Sequence, residues 1–238
     1  MGTSITQGQW CWLGRVGFVP TVALQERLRQ EVASRARRPT LLLCEHDPVI
    51  TMGRSARPKN LLCSPEDLAA AGVQLHVASR GGDVTYHGPG QLVAYPIFPL
   101  RAKTGVVAHV EAMAKAVIAV LAGWGLRGEF RRDEPGVWIN GAKVCAFGVH
   151  VRRRVPIHGL ALNVQTDLAA FNMIVPCGIV GKAVTSVTAL LGEPIPVSSV
   201  VPLLAAALSE AFEVVLEEVH ESVIAGVATS AVSSLLQT

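Results

Sequence analysis

The sequence predicts an α+β fold in which helices pack on a mixed β-sheet. Three observations carry that expectation. Apolar runs of strand length and amphipathic stretches of helix length follow one another in mixed order. Half of the residues are hydrophobic (50%) and 16% are charged, enough apolar material for a substantial core. No composition break, repeat or linker interrupts the 238 residues, so residues 1–238 read as one domain.

Trp10 to Leu13 read as a first strand. Pro20 and Thr21 open a helix with Leu24, Leu28 and Val32 on one face and Glu26, Arg27, Arg29 and Glu31 on the other; Pro39 lies beyond its basic end. Thr40 to Cys44 reads as a buried strand, and Glu45 to Arg54 as its end running into a loop. Ser64-Pro65-Glu66-Asp67 is a helix start: a capping hydroxyl, a proline where no amide partner is needed, then acids at the positive end of the dipole. Gly72 closes that helix. The runs from Val73 to Val77 and from Leu92 to Phe98 read as strands on either side of a glycine-rich loop. Val106 to Leu121 is the clearest helix, ended by Gly123 and Gly125. Short strands follow at 126–130, 136–139, 143–151 and 155–164. Asn140-Gly141 is a hairpin turn, because both residues tolerate positive φ, and Arg152 to Arg154 form the next turn. Ser198 or Ser199 caps a last helix through Leu216.

Composition excludes several classes. Mean hydropathy is high, +0.40, yet His109, Glu111 and Lys115 interrupt the longest apolar helix, and His220, Glu221 and several serines interrupt the stretch after Val219. Neither run suits a bilayer. A net charge of +3 is too small to imply nucleic acid. The arginines do cluster, at Arg35, Arg37 and Arg38, at Arg131 and Arg132, and at Arg152, Arg153 and Arg154; these are solvated faces or a docking patch for an acidic partner. The five cysteines are Cys11, Cys44, Cys63, Cys145 and Cys177. Their odd count, the absence of Cys-x-x-Cys and the absence of a signal peptide argue against a disulfide scaffold or thiolate metal site and for a reducing cytosol.

Three segments carry chemistry. The loop Arg80-Gly81-Gly82-Asp83-Val84-Thr85-Tyr86-His87-Gly88-Pro89-Gly90-Gln91 sets hydroxyls and an imidazole beside bare backbone that a ligand can approach closely. Lys143 lies in Gly141-Ala142-Lys143-Val144-Cys145-Ala146-Phe147-Gly148, where alternation puts residues 143, 145 and 147 on one face. Covering that face would desolvate the amine and make it a base near neutrality; left open, the same lysine snorkels to water. Ile174-Val175-Pro176-Cys177-Gly178 brackets a thiol with turn residues that favour exposure. A cysteine beside a lysine is a nucleophile and base pair. Cys145 is the rival thiol but ranks lower, because an apolar strand raises a thiol's pKa. In His158-Gly159-Leu160-Ala161-Leu162-Asn163, the small residues either leave room for a ligand or serve packing.

The glycine loop, the GAKVCAFG strand, the HGLALN strand and the VPCG turn, in this order, resemble the lipoyl(octanoyl) transferase family, and LLLCEHDPVITMGR resembles that family's early strand and loop. The resemblance is strongest over residues 10–192. It implies the fold of the biotin and lipoate protein ligase catalytic domain. It also implies transfer of an octanoyl group from acyl carrier protein to a lysine of a lipoyl domain, in the 2-oxoacid dehydrogenase complexes and the glycine cleavage H protein, by a cytoplasmic monomer. Cys177 is then the acyl-thioester nucleophile and Lys143 its base and acid. Arg80, Gly81, Gly82, Asp83, Val84, Thr85, Tyr86, His87, Ala146, Phe147, Gly148, Gly159, Leu160 and Ala161 line the acyl site. No metal, ATP or other cofactor is implied, the acyl group arriving on the carrier's phosphopantetheine. Cys145 departs from the small non-nucleophilic residue expected there. An ATP-dependent lipoate ligase would share the loop and the lysine but has no use for the Cys177 thiol; a non-enzymatic binder of acylated carriers would not become acylated.

Overall fold

The computed structural model, which describes residues 6–101, 105–176 and 183–225, is built on an eight-stranded mixed sheet with a three-stranded sheet beside it. Its elements are β1 (Thr6–Val16), α1 (Phe18–Ala33), β2 (Thr40–His46), β3 (Val49–Met52), α2 (Pro65–Ala70), β4 (Gln74–Val77), β5 (Val84–His87), β6 (Gln91–Ile97), α3 (Val106–Ala122), β7 (Glu129–Arg131), β8 (Gly136–Ile139), β9 (Ala142–Arg152), β10 (Val155–Asn163), α4 (Val187–Leu191), α5 (Val197–Phe212), β11 (Val214–Glu218) and α6 (Glu221–Ala225). The large sheet runs β11-β1-β2-β6-β10-β9-β8-β7 and the small one β4-β3-β5. Pairing is parallel at β11–β1–β2 and antiparallel from β2 to β7, so the α+β expectation holds.

The central strands are buried on both faces, which is why they read as continuous apolar runs. Leu41 and Leu43 of β2 point into a core shared with α3 and α5, where Met113, Val117, Leu121, Val200, Leu204 and Leu208 are buried. Leu42 and Cys44 point the other way, against Leu28 and Val32 of α1 and Ile224 of α6. A third cluster, Ile50, Leu68, Val84, Tyr86, Phe171 and Ile174, stiffens the small sheet. The Ser64 start behaves as its residues require: the Asp67 amide donates to Ser64 Oγ at 3.1 Å and the Ser64 amide to Asp67 Oδ2 at 3.0 Å. The β8–β9 turn uses positive φ at Asn140 (50°) and Gly141 (80°), and the β9–β10 turn uses it at Arg153 (50°) and Arg154 (61°).

Four local expectations are corrected. Val49–Met52, read within a strand end running into a loop, is a separate strand that pairs with Val84–His87 from inside the glycine loop; the partners are distant in sequence, so neither run announces itself. The stretch from Arg80 to Gln91, read as a loop, itself contains strand β5, and the strands flanking it belong to different sheets. Arg29, assigned to the solvent face of α1, is buried because that helix packs along β10 and β6 with Gln25 and Arg29 inward. The last long helix is capped at Pro196 without a side-chain bond and ends at Phe212, where Glu213 turns left-handed (φ 53°) and releases β11 to the sheet edge.

Several clustered arginines are occupied within the chain. Arg37 pairs with Glu31, Arg38 with Glu217, Arg131 with Glu129 and Arg132 with Glu111, while Arg154 donates to the carbonyls of Leu100 and Arg101. Among the described residues no helix is long and apolar enough to cross a membrane.

Candidate active site

The site is organised by β9 and β10. At Val137–Trp138 the β8–β9 register shifts, so that Val137 faces Cys145 while Trp138 faces Lys143. The extra residue, Val144, is a β-bulge, and it breaks the alternation that would put residues 143, 145 and 147 on one face. Cys145 turns into the core beside Val144, whereas Lys143 lines a small cavity together with Ala146. Lys143 is 6% exposed, and its Nζ lies 4.8 Å from the centre of the fully buried Trp138 ring. Gly136 makes room for the lysine stem: a Cβ there would stand 3.0 Å from Lys143 Cε and 2.8 Å from the Cys145 carbonyl oxygen.

That cavity is lined by Thr85, Gln91, Lys143, Ala146, Ala161, Asn163, Phe171, Pro176 and Val184. Cys177 lies outside the described residues, as does the rest of 177–182. Both flanks of that segment border the lysine. Pro176 lines the cavity, and the Val175 amide donates to the Asn60 carbonyl at 2.8 Å. On the far side the Lys143 amide donates to the Ala183 carbonyl and the Thr185 amide to the Lys143 carbonyl, both at 2.9 Å.

Thr85, Ala146 and Ala161 also line a second slot of about 50 Å³ with Phe18, Arg80, Gly82, Asp83, Val84, His87, Val93, Tyr95, Phe147, Gly148, His158, Gly159 and Leu160. Twelve of the fourteen residues expected at an acyl site are therefore at one slot. Gly81 and Tyr86 are not. The Gly81 amide donates to the Val149 carbonyl at 3.0 Å, tying the loop to β9. Tyr86 points to the opposite face of β5, edge-on to Phe171. Two of the twelve hold the loop together. Arg80 bonds Thr51 through Nε (3.1 Å to Oγ1) and Nη2 (2.5 Å to the carbonyl). The Asp83 carboxylate accepts from the Arg57 amide (3.2 Å), Asn60 Nδ2 (2.6 Å) and the Val84 amide (2.8 Å). Gly159 serves packing, since a Cβ there would meet the Ala94 carbonyl oxygen at 2.1 Å.

The slot's far wall is aromatic and imidazole, and apart from His87 the sequence alone did not mark it. Phe18 stacks on His87 and His158, with ring centroids at 6.1 and 6.5 Å. The Tyr95 hydroxyl meets His46 Nε2 at 2.6 Å, and His46 Nδ1 lies 2.9 Å from the Val16 carbonyl. Because a carbonyl only accepts, His46 carries its proton on Nδ1 and Tyr95 donates to Nε2. Burial pushes His46 down to about 4 and His87 and His158 down to about 3, so all three are neutral at pH 7. His158 holds φ of 60° within a strand, a strained conformation for this residue, and its amide donates to Gln25 Oε1 at 2.7 Å.

Cys145 is 1% exposed, and burial pushes its thiol well above the usual range, against the weaker opposing effects of the Ala161 backbone and Lys143. Cys145→Ala is expected to leave turnover near wild type, and Cys145 is expected to resist alkylation until the chain unfolds. Peptide mapping after iodoacetamide treatment of the native protein checks this.

Residues 19–209 match the family model described as the lipoyl protein ligase A/B catalytic domain. An octanoyltransferase of Chloroflexus aggregans is 45% identical over 205 residues, spanning 84% of this chain and 93% of the relative. The chain belongs to the octanoyltransferase family. Another octanoyltransferase, from Koribacter versatilis, is 46% identical over 198 residues, covering 81% of this chain and 79% of its own length. Octanoyl transfer in lipoate biosynthesis is the activity that goes with this membership. Solved structures at lower identity share the octanoyltransferase fold. A lipoate-protein ligase A bound with ATP superimposes with TM-score 0.76 at 18% identity, covering 97% of this chain and 92% of that one. A biotin protein ligase from Aquifex aeolicus gives 0.55 at 15%, covering 86% and 70%.

Phe18, Val93, Tyr95 and His158 of the slot, and Gln91, Asn163, Phe171 and Val184 near Lys143, are the residues that sequence reasoning did not assign. His158, Gln91 and Asn163 lie inside the motifs that carried the resemblance; Phe18 and Tyr95 lie in unremarkable apolar runs.

Proposed function

We propose that this octanoyltransferase works through a Cys177 acyl-thioester with Lys143 as its acid and base. The observation that supports the reading is the convergence of three distant stretches on one small cavity: Lys143 itself, Pro176 immediately before Cys177, and Val184 just after the 177–182 segment. The acyl donor is octanoyl-acyl carrier protein and the acceptor is a lysine of a lipoyl domain. A thioester is already activated, so the chemistry needs neither ATP nor a metal.

In the first half-reaction the Cys177 proton passes to Lys143 and the thiolate attacks the octanoyl carbonyl. The tetrahedral intermediate collapses as the carrier's phosphopantetheine sulfur leaves, taking a proton from the Lys143 ammonium. In the second, the lipoyl-domain amine attacks the enzyme thioester, Lys143 accepts the amine's proton, and the Cys177 sulfur leaves and takes that proton back from Lys143. Each half-reaction conserves protons, and Lys143 returns to its starting state. The octanoyl chain lies in the slot beyond Thr85, Ala146 and Ala161. Burying about six methylenes at about 0.8 kcal/mol each contributes roughly 5 kcal/mol before ordering costs.

Intact-mass analysis after mixing the protein with octanoyl-acyl carrier protein tests the covalent step. An octanoyl adduct is expected, mapping to the peptide that holds Cys177, and absent from Cys177→Ser. Full turnover by Cys177→Ser would remove the thioester route. Efficient transfer from free octanoate with ATP would assign the protein to the ligase chemistry instead.

A further inference from the structure

The β9–β10 ladder ends before it reaches Lys143. The last pair is Leu162 with Cys145, so beyond it one edge of β9 lacks a partner strand from β10. Residues 183–185 take over that edge, as the bonds from Lys143 to Ala183 and from Thr185 to Lys143 record. What pins 183–185 is the last residue of β10. Asn163 Nδ2 donates to the Thr185 carbonyl at 3.0 Å.

The rest of the chain of bonds is forced by its ends. The Thr185 carbonyl only accepts, so the Asn163 amide must present its nitrogen there and its oxygen to Gln91. Gln91 Nε2 donates to that oxygen at 2.9 Å and to the Tyr86 carbonyl at 3.2 Å. Gln91 Oε1 therefore accepts, and His87 Nδ1, at 2.7 Å, must carry a proton. A reversed amide at either residue would set two acceptors or two donors face to face. All the members are buried, Gln91 to 2%, Asn163 to 5%, His87 to 7% and Thr185 to 9% exposure. No bulk water competes for these bonds, so the network is stiff. It joins the glycine loop at His87 to the backbone of the lysine strand, and both amides line the lysine's cavity.

We propose that Asn163, oriented by Gln91, is a positioning residue for the Lys143 centre: through Thr185 it holds the bridging segment 183–185 on the lysine strand and so fixes where the amine stands. This rests on the reading of Lys143 as acid and base. Asn163 transfers no proton itself. Removing its nitrogen frees the Thr185 carbonyl and loosens the only strand-like neighbour that Lys143 has on that edge among the described residues.

The test uses the full chain with octanoyl-acyl carrier protein and a lipoyl domain. Asn163→Ala is expected to lower kcat about 10- to 100-fold, the scale of a catalytic group displaced by about 1 Å, with KM for the donor little changed and the pH–rate profile displaced. Gln91→Met, which keeps the volume and loses the amide, is expected to shift the same quantities in the same sense. Wild-type kcat in a folded Asn163→Ala protein overturns the proposal. So does a loss confined to KM with an unmoved pH profile, which would mark Asn163 as a wall of the cavity and nothing more. If both variants fail to fold, the amides are a folding element and the positioning role is wrong. Lys143→Ala assayed beside them separates the two readings. Turnover by Lys143→Ala sinks the acid–base assignment, whereas an inert Lys143→Ala beside a normal Asn163→Ala sinks only the positioning role.

Discussion

Lys143→Ala is expected to slow both half-reactions by about 10²- to 10⁴-fold, the range that a positioned acid–base group contributes. In the proposed mechanism one amine serves both steps, first for the leaving carrier thiol and then for the incoming lysine. Lys143→Met is the sharper variant. It keeps the stem that runs past Gly136 and over Trp138, so its folding stability should stay close to that of the wild type while turnover falls as far as in the alanine variant. Rapid-quench measurement of enzyme acylation, followed by transfer to a lipoyl domain, reads the two steps separately. A defect in only one step would mean that another group serves the other.

The fold is expected to begin losing stability near pH 6.5, before the carboxylates titrate. His46 and His109 are pushed down to about 4, and His87 and His158 to about 3, in each case chiefly by burial. In the unfolded chain all four bind protons below about pH 6.5. The unfolded state therefore holds more protons than the folded one, so stability is fully present above pH 6.5 and falls as the pH drops through it. Each fully expressed proton difference costs about 1.4 kcal/mol per pH unit. With four such sites, a domain of ordinary stability, about 5–15 kcal/mol, should lose its fold near pH 4 to 5. Thermal melts between pH 7.5 and 4.5 measure this: Tm should be flat above pH 7 and drop steeply below 6. His158→Gln should flatten the slope by about one proton. A Tm that holds level to pH 4.5 would mean that these imidazoles are not held neutral. Activity should fall over the same range, because the fold that assembles the slot is lost there, while His87 and His158 stay neutral in the protein that remains folded.

Much of the fold was legible because its signals are local. The Asn140-Gly141 turn, the Ser64 capping box and the doubly buried run from Leu41 to Cys44 each depend on neighbours within a few residues. Strand β3 was not legible, since Val49–Met52 owes its conformation to Val84–His87, more than thirty positions away. The same holds for α1: its i, i+4 pattern identified Leu28 and Val32 as buried, but not that Gln25 and Arg29 would be turned onto β10. In the site, composition marked the glycine loop, yet it could not say that Asp83 and Arg80 clasp that loop while Tyr86 leaves the slot.

By itself the sequence determined the chemistry on offer: one lysine on an apolar strand, one thiol bracketed by proline and glycine, and a glycine-rich loop to lay against a ligand. Only the tertiary structure decided which of these residues share a space. A single bulge residue, Val144, sends Cys145 into the core and leaves Lys143 in the cavity with Ala146. The reason is geometric. Side chains alternate along a strand with a period of two, so one inserted residue reverses the face of what lies beyond it. Such an insertion is set by pairing across strands, which no local stretch of sequence records.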